Sequence, residues 1–328
     1  MAYLYIPPKT ANVRGIVVGQ FNMLELPILE HPKFRETLQK LDFAAVWIAP
    51  SLFGADFNFK DAGKAAAVGK MFEDLAELSG CRELATAPLV GIGHSAMANF
   101  PWELAARKPE RALAGISYDG TFASQAGTLN ENDLKRLEGV FLDRVPQGRA
   151  ERWSGKKAGE AIAHGSDAER IQIFPICGPV VRIDNETMAV RFNRFGFTSS
   201  RHTGEIYMIA VYPGDDTYRR IVQQSVMMIP HRNTKGVAQR IEFPEIPDQR
   251  VGTNSVTLQA RANTGMPVAY YVEYGPAYLK DNELIFTEIP AGAKFPVEVS
   301  VVAYQYGNAG KPQLQSANPV TRRFRIVK

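Results

Sequence analysis

The sequence predicts an α/β domain built on a parallel sheet, followed by all-β domains of the sandwich type. Three observations predict it. Up to about Gly120, short apolar runs alternate with stretches of helical period, as in a parallel sheet covered on both faces. From Ile171 onward, short alternating stretches are separated by Gly, Pro, Asn and Asp, as in β-sandwiches. Between them, Ala123 to Ala168 is polar and follows neither period. The expected division is an α/β domain over 1–122, a linker or remnant over 123–168, a β-rich domain over 169–250 and a β-sandwich over 251–328, with the last boundary near "EIPDQRVGTNS".

Each α/β element has its own warrant. "RGIVVGQ" reads as a buried strand, and "HPKFRETLQKLD" as a helix with Phe34, Leu38 and Leu41 on one face and Pro32 in its first turn. "FAAVWIAP" is a second strand. "GKAAAVGKMFEDLAELSG" is a helix facing inward through Val68, Phe72 and Leu75 and stopped by Gly80. "APLVGIGHS" is the third strand, Ser95 to Lys108 a helix that Pro101 kinks, and "RALAGISYDG" the fourth strand. The β region reads as "TMAVRFNRFGF", "EIYMIAVYPGDD", "QRIEFPEI", "SVTLQARA", "VAYYVEYG", "LIFTEI", "VEVSVVAYQYG" and "TRRFRIVK".

Composition narrows the function classes. A chain of 328 residues has room for two or three domains, and its net charge of +4 with no long basic runs argues against nucleic acid or anionic membranes as partners. No segment is long and apolar enough to span a bilayer, and "MAYLYIPPKTANVRG" lacks the pattern of a signal peptide. Cys81 and Cys177 do not make a disulfide framework. No His/Cys cluster has zinc spacing, and the adjacent Asp215 and Asp216 read as a solvated turn, so neither metal nor cofactor is expected.

The chemistry concentrates in "LVGIGHSAMANFPW". A strand followed by Gly93-His94-Ser95 and a helix matches the sharp turn that presents a nucleophilic serine. Such a turn needs small neighbours. Gly93 meets this on one side, whereas Met97 stands where a glycine is usual on the other. Ser95 would attack, and the oxyanion would be held by the N–H of Ala96 and by that of Phe21 or Asn22 in the loop after the first strand. A plain strand-to-helix turn with Ser95 as helix cap is the competing reading.

With "RGIVVGQFNMLE", "FAAVWIAP" and "FEDLAELSGCRELATAPLVGIGHSAMANFPWELAARKPERALAGISYDG" in view, the region from Tyr3 to about Gly120 resembles the α/β-hydrolase family, specifically secreted bacterial esterases and polyester depolymerases. The resemblance implies a partial α/β-hydrolase sheet, a Ser–acid–His order along the chain, an ester or acylated polysaccharide or polymer as substrate, and an extracellular or periplasmic setting. Here the family's pattern is abbreviated. The five histidines are His31, His94, His164, His202 and His231, and none follows a parallel strand in a Gly-rich loop before a helix. Asp119, at the end of "ISYDG", is the candidate acid, and His164 and His202 are the candidate bases. The sheet so shortened would leave an open edge after the fourth strand, which predicts self-association or cover by the β region.

"TGMPVAYYVEYGPA", "VVAYQYGN" and "SANPVTRRFRI" resemble bacterial immunoglobulin-like repeats over about Thr253 to Lys328, modules that follow polymer-active enzymes as spacers or binding units. Tyr270, Tyr271, Tyr274, Tyr278, Tyr304 and Tyr306 offer an aromatic face, although alternation should turn about half of them inward. Two functions follow: a serine hydrolase for esters, weak or inactive if its acid and base segment is missing, or a non-catalytic binding or scaffold protein that works through its β modules.

Overall fold

A computed structural model describes residues 1–22, 24–49, 62–118, 157–160, 171–185, 187–192, 205–216, 220–229 and 232–328. The α/β part opens with a strand the apolar pattern did not predict, β1 (Ala2–Tyr5), followed by β2 (Gly15–Gln20), β3 (Phe43–Ile48), β4 (Leu89–His94) and β5 (Ala112–Tyr118). Their order in the sheet is β1-β3-β2-β4-β5. β1 is antiparallel to β3, and the other pairings are parallel. Every residue of β2 is buried, which explains its unbroken apolar run.

The helices are α1 (Glu25–Glu30), α2 (Pro32–Leu41), α3 (Ala62–Ser79) and α4 (Phe100–Arg107). One sheet face packs Ile16, Val18, Ala44, Val46 and Leu89 with Val68 and Phe72 of α3 and Phe100 and Leu104 of α4. The other packs Val17, Ala45, Trp47 and Ile92 with Leu29 and Leu38. Leu41, expected inside, is 46% exposed, because α2 ends there and the chain leaves through Asp42 in the left-handed region (φ 55°). Pro101 does not kink a helix from Ser95. A separate 3-10 turn, Ser95–Met97, comes first, so Pro101 falls in the first turn of α4, where proline is tolerated.

β5 is an edge strand among the described residues, with Leu113 58% and Ile116 50% exposed. Cys81 is buried and Cys177 half-buried, both as thiols.

The sandwich is built from β11 (Ile241–Glu242), β12 (Gln249–Arg250), β13 (Ser255–Thr257), β14 (Arg261–Ala262), β15 (Ala269–Tyr274), β16 (Ala277–Lys280), β17 (Glu283–Phe286), β18 (Val297–Tyr304) and β19 (Val320–Val327). Its sheets run β12-β19-β18-β15, β13-β17-β16 and β11-β14 around Leu258, Leu284, Val299, Val301 and Phe324. The tyrosines do not form one exposed face. Tyr271 and Tyr304 are buried, the Tyr270 hydroxyl accepts from Ala260 N (2.8 Å), Tyr274 donates to Glu298, and Tyr278 is exposed.

The chain falls into two compact units, one of Met1–Ser124, Phe192–Thr203 and Pro230–Lys328, the other of Gln125–Arg191 and Gly204–Ile229. The division differs from the expected 123–168, 169–250 and 251–328. Ile241, Phe243 and Ile246 lie in the sandwich core, so the sandwich begins before residue 251. Phe192 is buried with its ring centroid 5.6 Å from Tyr304, and its N–H donates to the Tyr304 hydroxyl. Within the first unit, Lys294 N donates to Ser79 O (2.9 Å), and Gly80 (φ 85°) leaves room for the Gly292 carbonyl, which a Cβ would meet at 2.9 Å. In the second unit, β6 (Gln172–Cys177), β9 (Glu205–Tyr212) and β10 (Ile221–Met228) form a sheet in the order β10-β9-β6, beside a small ribbon of β7 (Val180–Arg182) and β8 (Met188–Val190).

Candidate active site

The sheet order fixes where a site belongs. β2 has β3 on one side and β4 on the other, so the chain reverses its direction of winding between β2 and β4. Open α/β sheets bind ligands outside the carboxyl ends of the strands at such a switch point. The two segments leaving that point are the loop after β2, which holds Phe21 and Asn22, and the turn after β4, which begins at Ser95.

Ser95 has φ 49°, a conformation that costs an L-residue about 1–2 kcal/mol and that serine rarely adopts. It lies between a parallel strand and the turn leading into α4, and it is exposed. The turn is tight. A Cβ on Gly93 would lie 2.0 Å from the Met97 carbonyl oxygen, so only glycine fits there. Met97 is tolerated two residues after the serine because its backbone carbonyl faces Gly93, while its buried sulfur accepts from Gln20 Nε2 (2.9 Å).

Side chains from around the switch point hold the turn. Asn22 Nδ2 donates to the His94 carbonyl (2.6 Å), and Ser117 Oγ donates to the Ala98 carbonyl from the β5 side. The Glu25 carboxylate accepts from the His94 amide (2.8 Å). Gln20 and Asn22 therefore do more than cap a strand end. Ala96 N–H lies in the first turn after the serine, where amides have no partner within the turn. Of the two loop amides expected to complete an oxyanion hole, Phe21 is corrected: its N–H is given to the Ile48 carbonyl (2.7 Å), which extends the β2–β3 ladder by one residue. Asn22 N–H has no acceptor among the described residues, which leaves it as the candidate donor.

Glu25 is the site residue that the sequence reading missed. Its side chain is 1% exposed, and Oε2 has no hydrogen-bond partner among the described residues. Burial pushes its carboxyl up to about 7, against the lowering by hydrogen bonds from the Glu25, His94 and Leu24 amides. The signal was an acid between Leu24 and Leu26 in the apolar stretch "NMLELPIL".

Asp119, His164, His202 and His231 lie outside the described residues. Of the described histidines, His31 accepts from Lys33 N (3.3 Å) as the cap of α2, and the His94 side chain is buried. The described residues contain no cluster of three or more His, Cys, Asp or Glu arranged to hold a metal ion. Asp215 accepts from the Tyr212 hydroxyl. No described helix is long and apolar enough to cross a membrane.

No family model and no curated protein matches the chain. Among solved structures it is similar to human protocadherin-24 EC1-2 at 11% identity, over 53% of this chain and 89% of that one, with a TM-score of 0.22. It is similar to Drosophila N-cadherin EC1-4 at 13% identity, over 48% of this chain and 41% of that one, with a TM-score of 0.21. Mouse cadherin-23 EC22-24 matches at 17% identity, over 48% of this chain and 53% of that one, with a TM-score of 0.20. Likenesses at these TM-scores carry no argument about this chain.

Proposed function

We propose that the chain is a serine hydrolase acting on ester bonds, built on a partial α/β-hydrolase sheet, with Ser95 as nucleophile. The observation that carries this reading is the backbone of Ser95: an exposed serine held at φ 49° at the carboxyl end of a parallel strand, beside the switch point of the sheet. A strained residue at a ligand-binding position is retained for what it presents. In this reading Ser95 Oγ attacks the ester carbonyl, and the Ala96 and Asn22 amides hold the oxyanion. A histidine takes the serine proton and returns it to the departing alcohol, His164 and His202 being the candidates and Asp119 the acid that orients it. The substrate proposed is an ester or acylated polysaccharide or polymer, in an extracellular or periplasmic setting, with the immunoglobulin-like module as spacer or binding unit.

The test is labelling with a fluorophosphonate probe. The wild type should label and Ser95→Ala should not; failure of a folded wild type to label would refute the assignment. A second reading, a non-catalytic scaffold that self-associates, is favoured by β5, an edge strand among the described residues with Leu113 and Ile116 exposed. It expects no labelling, and a sedimentation coefficient that falls to the monomer value in Leu113→Lys/Ile116→Lys.

A further inference from the structure

The loop after β2 holds the turn through one ionisable group, Glu25. β2 and β4 pair only as far as Gly19↔Ile92. Beyond that pair β4 runs on to His94, whose N–H no longer meets a β2 carbonyl. Buried backbone amides need an acceptor, and the Glu25 carboxylate supplies it at 2.8 Å. The residue so anchored immediately precedes Ser95, and its carbonyl is held from the other side by Asn22. A shift of the carboxylate therefore moves the residue that sets the φ of the serine.

We propose that Glu25 is a positioning residue of the Ser95 turn, and that uptake of a proton from solvent by its carboxylate loosens the His94 anchor and lowers the reactivity of Ser95. The part concerning reactivity rests on the hydrolase reading; the part concerning the anchor does not. The charged carboxylate is the stronger acceptor of an amide hydrogen bond. Its second oxygen is buried and without a partner among the described residues, so nothing holds the ionised form in place except amides. Among the described residues, little else around it titrates. Gly19 of β2 packs against Glu25, a Cβ there falling 3.3 Å from Glu25 Cβ, and neither β2 nor β3 carries a titratable side chain. β4 brings only His94, and no charged side chain of α2 contributes to the Glu25 equilibrium.

Of the five histidines, only His94 follows a glycine, so ¹³C′-glycine with ¹⁵N-histidine labelling isolates its amide signal in the full chain. That signal should move through a single step centred near pH 7 in the wild type, and the step should vanish in Glu25→Gln, which keeps an acceptor oxygen and cannot ionise. A flat wild-type signal overturns the proposal. So does a step that persists in Glu25→Gln. In parallel, the rate of fluorophosphonate labelling at Ser95 should be about five-fold higher in wild type than in Glu25→Gln above the step, the two converging below it. A ratio constant across pH overturns the coupling. Wild type that does not label at all overturns the hydrolase reading, and with it the coupling, while the His94 signal still decides the anchor. A flat signal with normal labelling overturns only the role given to Glu25.

Discussion

Replacing Glu25 by glutamine should make stability less dependent on pH, in a direction that follows from burial. An exposed glutamate has a carboxyl value of 4.5, and in the folded chain Glu25 is raised to about 7. A raised value means that the folded state binds the proton more tightly than the unfolded chain does. The stabilisation is therefore full below 4.5 and is lost as pH rises to about 7, beyond which the wild type carries a constant cost. At about 1.4 kcal/mol per pH unit, the loss amounts to about 3 kcal/mol. Glutamine keeps the acceptor for His94 and avoids the buried charge, but it adds amide hydrogens that need partners. An unsatisfied donor costs about 1–3 kcal/mol at every pH, so the decisive quantity is the change with pH and not the offset. Urea unfolding, followed by tryptophan fluorescence, reports this part of the chain through Trp47, which is 3% exposed in β3. Between about pH 5 and about pH 8, the stability of Glu25→Gln relative to wild type should rise by about 2–3 kcal/mol. A relative stability that stays constant, or that falls with pH, would refute the reasoning, because it would mean that the carboxyl is not desolvated in the folded protein.

Three further outcomes are expected. Ser95→Gly should abolish fluorophosphonate labelling and yet stabilise the protein by about 1 kcal/mol, since glycine adopts φ 49° without strain; calorimetry showing a loss of stability would place the strain elsewhere. Gly93→Ala puts a Cβ 2.0 Å from the Met97 carbonyl and should cost about 3 kcal/mol or more, with loss of labelling; an unchanged melting temperature would mean the turn is looser than its geometry. Leu284→Ala, at a fully buried position in the sandwich core, should cost about 2–5 kcal/mol in urea unfolding while leaving Ser95 labelling of the folded protein intact.

Three strands of the α/β sheet were legible because they are buried on both faces. GIVVGQ, FAAVWI and LVGIGH carry unbroken apolar runs, and each is a strand. β1 was not legible for the complementary reason. It pairs on one edge only, with β3, and all four of its residues are half-buried, so AYLY carries no strong pattern. The sandwich boundary misled because turn residues mark chain reversals as readily as domain ends. "EIPDQRVG" is such a reversal, crossing from Ile246 in the core to Gln249 beside Ile326. At the candidate site, the sharp turn after β4 was legible from spacing, since a tight turn leaves a glycine signature at Gly93. Which loop amide is without an acceptor among the described residues was not: Phe21 and Asn22 are equivalent in sequence, and only the register of β2 against β3 assigns the first to Ile48.

Three departures from local rules in the α/β part lie in one loop and one turn. A serine occupies a left-handed conformation, a glutamate is buried with one oxygen unpartnered among the described residues, and Gln20, fully buried, gives its amide to a sulfur. Packing of the sheet alone requires none of the three. Structural need alone would favour glycine at 95, glutamine at 25 and an apolar side chain at 20. Three such departures beside the switch point of the sheet fit the pattern expected where stability has been given up for function. The sign of the Ser95→Gly result is therefore the most informative: a scaffold has no reason to keep serine there, and a serine hydrolase cannot work without it.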